Sequence, residues 1–140
     1  MRFEIAWARN DEGERIQALL AADGITILGA DWSEVAGYWL VARIKGEAVA
    51  CIQVAFAKPI ARLEFLSIDR RIVGLSRKRL VARMIRAGSE LCQVRGAPLQ
   101  ASIISFDQQQ YIDVLVRRGC NVIVEGKMVI GRLAPLKRTR

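Results

Sequence analysis

The stretch that decides the fold is Arg71-Ile72-Val73-Gly74-Leu75-Ser76, with Arg77-Lys78-Arg79 directly after it. An apolar run from Ile60 to Ile68 leads into it and reads as a strand. Leu80, Val81, Met84, Ile85 and Leu91 follow at helical spacing, which predicts a long amphipathic helix from about Leu75 to Val94. A strand entering a glycine-containing turn and then a helix exposes backbone N–H groups, and the helix dipole adds partial positive charge at the same point. Together they suit a phosphate or pyrophosphate. Gly74 has no side chain to hold an anion away from the backbone. Arg71 and the cluster Arg77, Lys78 and Arg79 strengthen the positive field.

Working outward, Phe3, Ile5 and Trp7 alternate with Arg2, Glu4 and Arg9, the period of a strand over Arg2 to Arg9. Asn10 or Asp11 can cap a following helix, with Glu14 in its first turn, Ile16, Leu19 and Leu20 on its apolar face and Gly24 at its end. Asp31 to Ala36 reads as a second short helix. Tyr38 to Ile44, the turn Lys45-Gly46-Glu47 and Ala48 to Phe56 form a hairpin, which Lys58-Pro59 ends. These strands are apolar on both faces, so the sheet is expected to be covered on both sides. After the long helix, stopped by Gly96 to Pro98, come a strand over Leu99 to Ile104 and a helix from Asp107 through Arg118. A closing hairpin of Asn121 to Val124 and Lys127 to Leu133 completes the order. Residues 1–134 read as one domain and residues 135–140 as a basic tail.

The composition narrows the chemistry. The chain has 140 residues, a formal charge of +8 and no histidine. Ser-His and Cys-His nucleophiles and histidine-ligated metals are therefore excluded. Any proton transfer falls to carboxylates, Tyr, Cys, Lys or water. Cys51, Cys92 and Cys120 are widely spaced and odd in number, the pattern of buried free thiols rather than of a disulfide framework or zinc site. No apolar run approaches the roughly 20 residues that span a bilayer. The opening Met1-Arg2-Phe3-Glu4 has no long apolar stretch, so a cytoplasmic protein is expected. The positive charge favours anionic partners.

The element order and the Arg71 to Ser76 motif resemble the GNAT (GCN-type N-acetyltransferase) superfamily. Its signature is a strand followed by Arg or Gln-x-x-Gly-x-Gly or Ala at the start of a long helix. Val114-Leu115-Val116-Arg117-Arg118-Gly119-Cys120 looks like its second signature, a helix ending just before the last hairpin. The resemblance implies an α/β (α+β) fold: a mixed, mostly antiparallel sheet of about six to seven strands flanked by helices. It also implies acetyl-CoA as substrate and transfer of its acetyl group to a primary amine by direct attack in a ternary complex. The cofactor-binding residues carried over are Leu66, Ser67, Ile68, Arg71, Ile72, Val73, Gly74, Leu75, Ser76 and Arg77. The loop holds the pyrophosphate, and the backbone of Leu66 and Ile68 takes the pantetheine arm as an added pseudo-strand. Backbone N–H groups near Leu66 would polarise the thioester carbonyl.

Two residues are candidates for catalysis by the same resemblance. Many members place a glutamate on the strand before the loop to deprotonate the amine. Here that is Glu64, at even spacing from Leu66. Many also carry a helix tyrosine that protonates the departing thiolate. Leu115 stands in its place, and Tyr111, four residues earlier, shares its helix face. Against these roles stand plain structural ones: Tyr111 as a packed helix residue, and Glu64 paired with Arg62 or Arg43. Trp32 and Tyr38 are candidates for lining an acceptor pocket, with core packing as the alternative. The acceptor is a small-molecule or protein amine, and the last hairpin can pair with a second copy.

Two other functions are compatible with these residues. One is a GNAT-fold binding or structural protein without chemistry, of a kind familiar in tailed phages. The other, lowest in rank, is a nucleic-acid binder using Arg70, Arg71, Arg77, Lys78, Arg79, Arg83 and Arg86 with Lys137, Arg138 and Arg140. No aromatic residues interleave with that stripe, so stacking on single strands has no support.

Overall fold

The computed structural model describes residues 2–25, 36–56, 60–97, 99–103, 113, 116–117, 121–124 and 128–132. Its elements are β1 (Glu4–Trp7), a short 3-10 turn (Asn10–Glu12), α1 (Gly13–Ala22), a second 3-10 turn (Ala36–Tyr38), β2 (Trp39–Ile44), β3 (Glu47–Ala55), β4 (Ile60–Ile68), α2 (Gly74–Val94), β5 (Leu99–Ile103), β6 (Asn121–Val124) and β7 (Met128–Arg132). Among the described residues the strands form one seven-stranded sheet in the order β1-β2-β3-β4-β5-β7-β6. Every neighbouring pair is antiparallel except β4 with β5. This is the mixed, mostly antiparallel sheet expected from the sequence.

Over β2, β3 and β4 the sheet is covered on both faces, as these doubly apolar strands require. On one face Leu40, Ala42, Ile52, Val54, Leu63, Leu66 and Ile68 pack against Leu80, Val81, Met84 and Ile85 of α2. On the other, Trp39, Val41 and Cys51 pack against Ile16, Leu19 and Leu20 of α1. At Gly88 α2 packs tightly on the sheet, so that an added Cβ would stand 2.8 Å from Leu63 Cδ2.

Glycine ends α1 and α2 by the same device. Gly24 has φ +73° and Gly96 φ +81°. In each case the amide after the glycine bonds back to the helix, Ile25 N to Leu20 O at 2.9 Å and Ala97 N to Cys92 O at 3.0 Å, the Schellman arrangement that satisfies the last carbonyls.

The start of α1 differs from expectation. Neither Asn10 nor Asp11 caps it. They lie in the 3-10 turn, and the Glu12 carboxylate reaches back to accept from Arg9 N at 2.8 Å. Glu12 is also held by Arg43, which donates through Nε at 2.9 Å and Nη2 at 2.5 Å. Both are buried, at 5% and 4% exposure. Tyr38 belongs to the turn before β2 rather than to the strand. Of the short helix expected over Asp31 to Ala36, residues 31–35 lie outside the described residues and Ala36 opens that turn. Of the Asp107 to Arg118 helix, Asp113, Val116 and Arg117 are described, and they are helical.

Candidate functional site

The buried apolar positions of β4 are Ala61, Leu63, Leu66 and Ile68, all packed on the α2 side. An unbroken strand would keep a spacing of two, but here the middle step is three. The extra residue is Phe65, at φ +59°, and the register with β3 shifts around it, from Gln53↔Glu64 to Cys51↔Ser67. This is a β-bulge. It places Glu64 and Ser67 on the α1 face while Leu66 packs toward α2. Even spacing from Leu66 therefore does not put Glu64 on the same face, because the bulge inserts half a period between them. The parallel register of β4 with β5 covers Ile60, Ala61 and Arg62 and stops just before Glu64 and the bulge.

Glu64 is largely buried, its side chain 12% exposed, with one oxygen 3.7 Å from Arg62 Nε. Arg43, the other partner considered for it, is engaged by Glu12. The Ser67 hydroxyl is buried with no hydrogen-bond partner.

The loop after β4 is built on Asp69. Its amide donates to Val49 O at 2.8 Å, and its carbonyl accepts from Ile72 N at 3.0 Å. Its carboxylate accepts from the Arg71 amide at 2.9 Å and from Arg71 Nη2 at 2.7 Å. Arg15 of α1 adds Nη2 at 2.6 Å and donates Nε to Ala48 O at 2.8 Å. These donors, Arg71 foremost, hold the Asp69 carboxyl well below the usual carboxylate range. Arg77 turns back over the loop, its Nη1 lying 3.4 Å from Asp69 O and 3.3 Å from Ile72 O. The loop carbonyls are thus engaged from within.

Gly74 begins α2 at φ +62°, and a Cβ there would meet nothing within 4 Å. The cap residue Val73 offers no side-chain hydrogen bond, and the first turn contains no acidic residue. The amides of Gly74, Leu75 and Ser76 are among those an α-helix leaves without internal partners. Charge placement points the same way. Arg77, Lys78 and Arg79 sit near the positive end of the helix dipole, and the last turn has no basic residue. For stability alone, cations belong at the opposite end. An anion at the N-terminus removes that conflict. Arg71 contributes less to this field than expected, because Asp69 and Glu47 take its guanidinium.

Of the other candidates, Tyr111, Leu115 and Trp32 lie outside the described residues. Tyr38 is 49% exposed, so it is not a core residue, whereas Trp39 beside it is 2% exposed. Phe65 is 37% exposed, its ring 6.4 Å from that of Trp39 and nearly parallel at 24°. Asp69, Arg15 and Phe65 were not singled out by the sequence. Asp69 had a local signal, an aspartate two residues before an amide in a turn. Phe65 had one too, in the three-residue step between Leu63 and Leu66. Arg15 had none. Among the described residues, no group of three His, Cys, Asp or Glu side chains is placed to hold a metal ion, and no helix is long and apolar enough to cross a membrane.

The backbone matches solved structures over nearly its whole length. Ard1 from Thermoplasma volcanium superposes with a TM-score of 0.74 at 13% identity, covering 96% of this chain and 100% of that one. The yncA protein of Salmonella typhimurium, a putative acetyltransferase solved with acetyl-CoA, gives 0.73 at 11% identity over 100% and 99%. The fold is that of the GNAT acetyltransferases. N-acetylglutamate synthase from Neisseria gonorrhoeae, solved with coenzyme A and N-acetyl-glutamate, gives 0.72 at 14% identity. The match covers 96% of this chain but only 36% of that longer one. No family model matches the sequence, and no curated protein matches it. The likeness is one of GNAT backbone rather than of sequence.

Proposed function

We propose that this protein is an acetyl-CoA-dependent N-acetyltransferase. It would transfer the acetyl group to a primary amine by direct attack within a ternary complex. The observation that carries the reading is Gly74 at φ +62° with open space where its side chain would be, at the start of a helix with no acid in its first turn. The residues present fit a pyrophosphate, and the GNAT-fold structures solved with coenzyme A or acetyl-CoA support that ligand.

In this reading the amides of Gly74, Leu75 and Ser76 receive phosphate oxygens, with Ile72, Val73 and Arg77 shaping the turn. Leu66, Ser67 and Ile68 lie along the pantetheine arm. Asp69 amide donates to β3, and successive strand amides point to opposite edges, so Ile68 presents its own toward the β5 side, where the arm would run. Glu64 accepts the proton of the attacking amine, directly or through water, and Tyr111 supplies a proton to the departing thiolate. Holding amine and thioester together provides much of the rate, and the chain needs no covalent intermediate. Small amines are the favoured acceptors: the synthase structure contains N-acetyl-glutamate, and the diaminobutyrate acetyltransferase of Paenibacillus lautus was solved with L-2,4-diaminobutyric acid. Residues 1–134 act as one domain.

The test is release of the coenzyme A thiol from acetyl-CoA with a panel of primary amines. Amine-dependent release, absent in Gly74→Glu, supports the reading. A protein that binds acetyl-CoA but acetylates no amine is a GNAT-fold binding protein instead.

A further inference from the structure

The acetyltransferase reading leaves the acceptor unnamed, and the α1 face around the bulge bears on it. Glu64, Gln53 and Trp39 form one cross-strand row on that face. Phe65 lies beside the row with a left-handed backbone, a conformation that is rare for a bulky residue and that glycine or asparagine adopts more readily. Burial does not explain the choice of phenylalanine, since 37% of the residue remains exposed. The ring reaches across β3 to lie nearly parallel to that of Trp39, whose burial fixes the base of the stack. Tyr38, adjacent in sequence to Trp39, is exposed by 49%. An exposed aromatic surface therefore adjoins Glu64, the largely buried carboxylate that this face offers on β4. Arg62, 3.7 Å from Glu64, is too distant for a good hydrogen bond and leaves the carboxylate able to accept from another donor.

We propose that the acceptor is an arylalkyl amine, its ring packed on Phe65 and its amine at Glu64. This rests on the acetyltransferase reading and names the substrate class for it. Aromatic rings favour offset stacking on such a surface, and a short linker carries the amine from the ring to the adjacent residue. The amine nitrogen attacks the thioester carbonyl carbon, forming the amide as the carbon–sulfur bond breaks. The amine proton passes to Glu64, and the thiolate leaves to be protonated.

The test compares phenethylamine with hexylamine, of similar reach but without a ring, by thiol release with the full chain. The expected result is a kcat/KM about tenfold higher for phenethylamine, expressed mainly in KM. Phe65→Ala brings the two amines together. Phe65→Gly does the same while matching the left-handed backbone, so a loss of preference in Phe65→Gly is not a folding defect. The proposal is overturned if the wild-type protein treats both amines alike, acetylates neither, or keeps its preference in both variants. Calorimetry with acetyl-CoA separates the failures: no cofactor binding removes the acetyltransferase reading as well, whereas binding without aryl preference removes only the acceptor class.

Discussion

Arg15 and Asp69, 54 residues apart in sequence, meet at 2.6 Å, and their contact ties helix α1 to the base of the loop that opens α2. The Asp69 carboxylate is 9% exposed and simultaneously fixes the Arg71 amide. Asp69→Asn is expected to destabilise the fold by about 2 kcal/mol, the scale of hydrogen bonds to a charged group, and to weaken acetyl-CoA binding about tenfold through a loosened loop. The pH dependence has a definite sign. The folded carboxyl titrates below its unfolded value, so its contribution is fully present above the unfolded value of about 4 and is lost as pH falls below it. Urea denaturation of wild type and Asp69→Asn should give a constant difference from neutral pH down to about 5, shrinking below about 4. A difference that grows in acid contradicts this role.

The buried pair Glu12–Arg43 makes a separate prediction about stability. Arg43 also donates to Trp7 O at 3.0 Å, so it ties the end of β1 to the turn before α1. Arg43→Met leaves a buried carboxylate without its main partner and should cost about 3–5 kcal/mol. The double variant Glu12→Gln with Arg43→Met should recover part of that loss. Chemical denaturation of the four proteins gives the coupling directly, and additivity of the single losses would show that the two side chains act independently.

These pairings mark the boundary of what the sequence discloses. Ile60–Ile68 is the strand read from apolar content, and the helix after it begins within one residue of the expected start, because a long amphipathic period and a glycine are local signals. Gly74, read from the sequence for its missing side chain alone, also has a positive φ in the structure. The bulge is written only in the three-residue step between Leu63 and Leu66, and the even spacing of Glu64 from Leu66 does not disclose that the two lie on opposite faces. Arg15 meeting Asp69 and Arg43 meeting Glu12 depend on which strands adjoin, and no local pattern carries that information. The partial neutralisation of Arg71 follows from the same contacts.

Buried thiols should be chemically silent. Burial pushes the Cys51 thiol up to about 12 and the Cys92 thiol up to about 11, so almost no thiolate exists near neutral pH. Neither should react with iodoacetamide at pH 8 until the protein is unfolded, as read by mass spectrometry of the labelled peptides. Cys51→Ala should retain acetyl transfer, since no acyl-cysteine is required. Labelling of Cys51 in the native protein would contradict this.

Glu64 has a sharper test than simple loss of activity. If it accepts the amine proton, Glu64→Gln should lower kcat about 100-fold, the lower range for a general base, with acetyl-CoA affinity unchanged. The isosteric amide keeps the shape of the site but cannot take a proton. Equal activity in Glu64→Gln would return Glu64 to a structural pairing with Arg62.

The most direct test of the central claim is calorimetric titration with acetyl-CoA of wild type and Gly74→Glu. The account predicts micromolar binding by the wild type and none by the variant, in which a charged side chain fills the space beside the helix N-terminus. Circular dichroism would check that the variant remains folded. No binding by the wild type at millimolar acetyl-CoA, or equal binding by a folded variant, would contradict it.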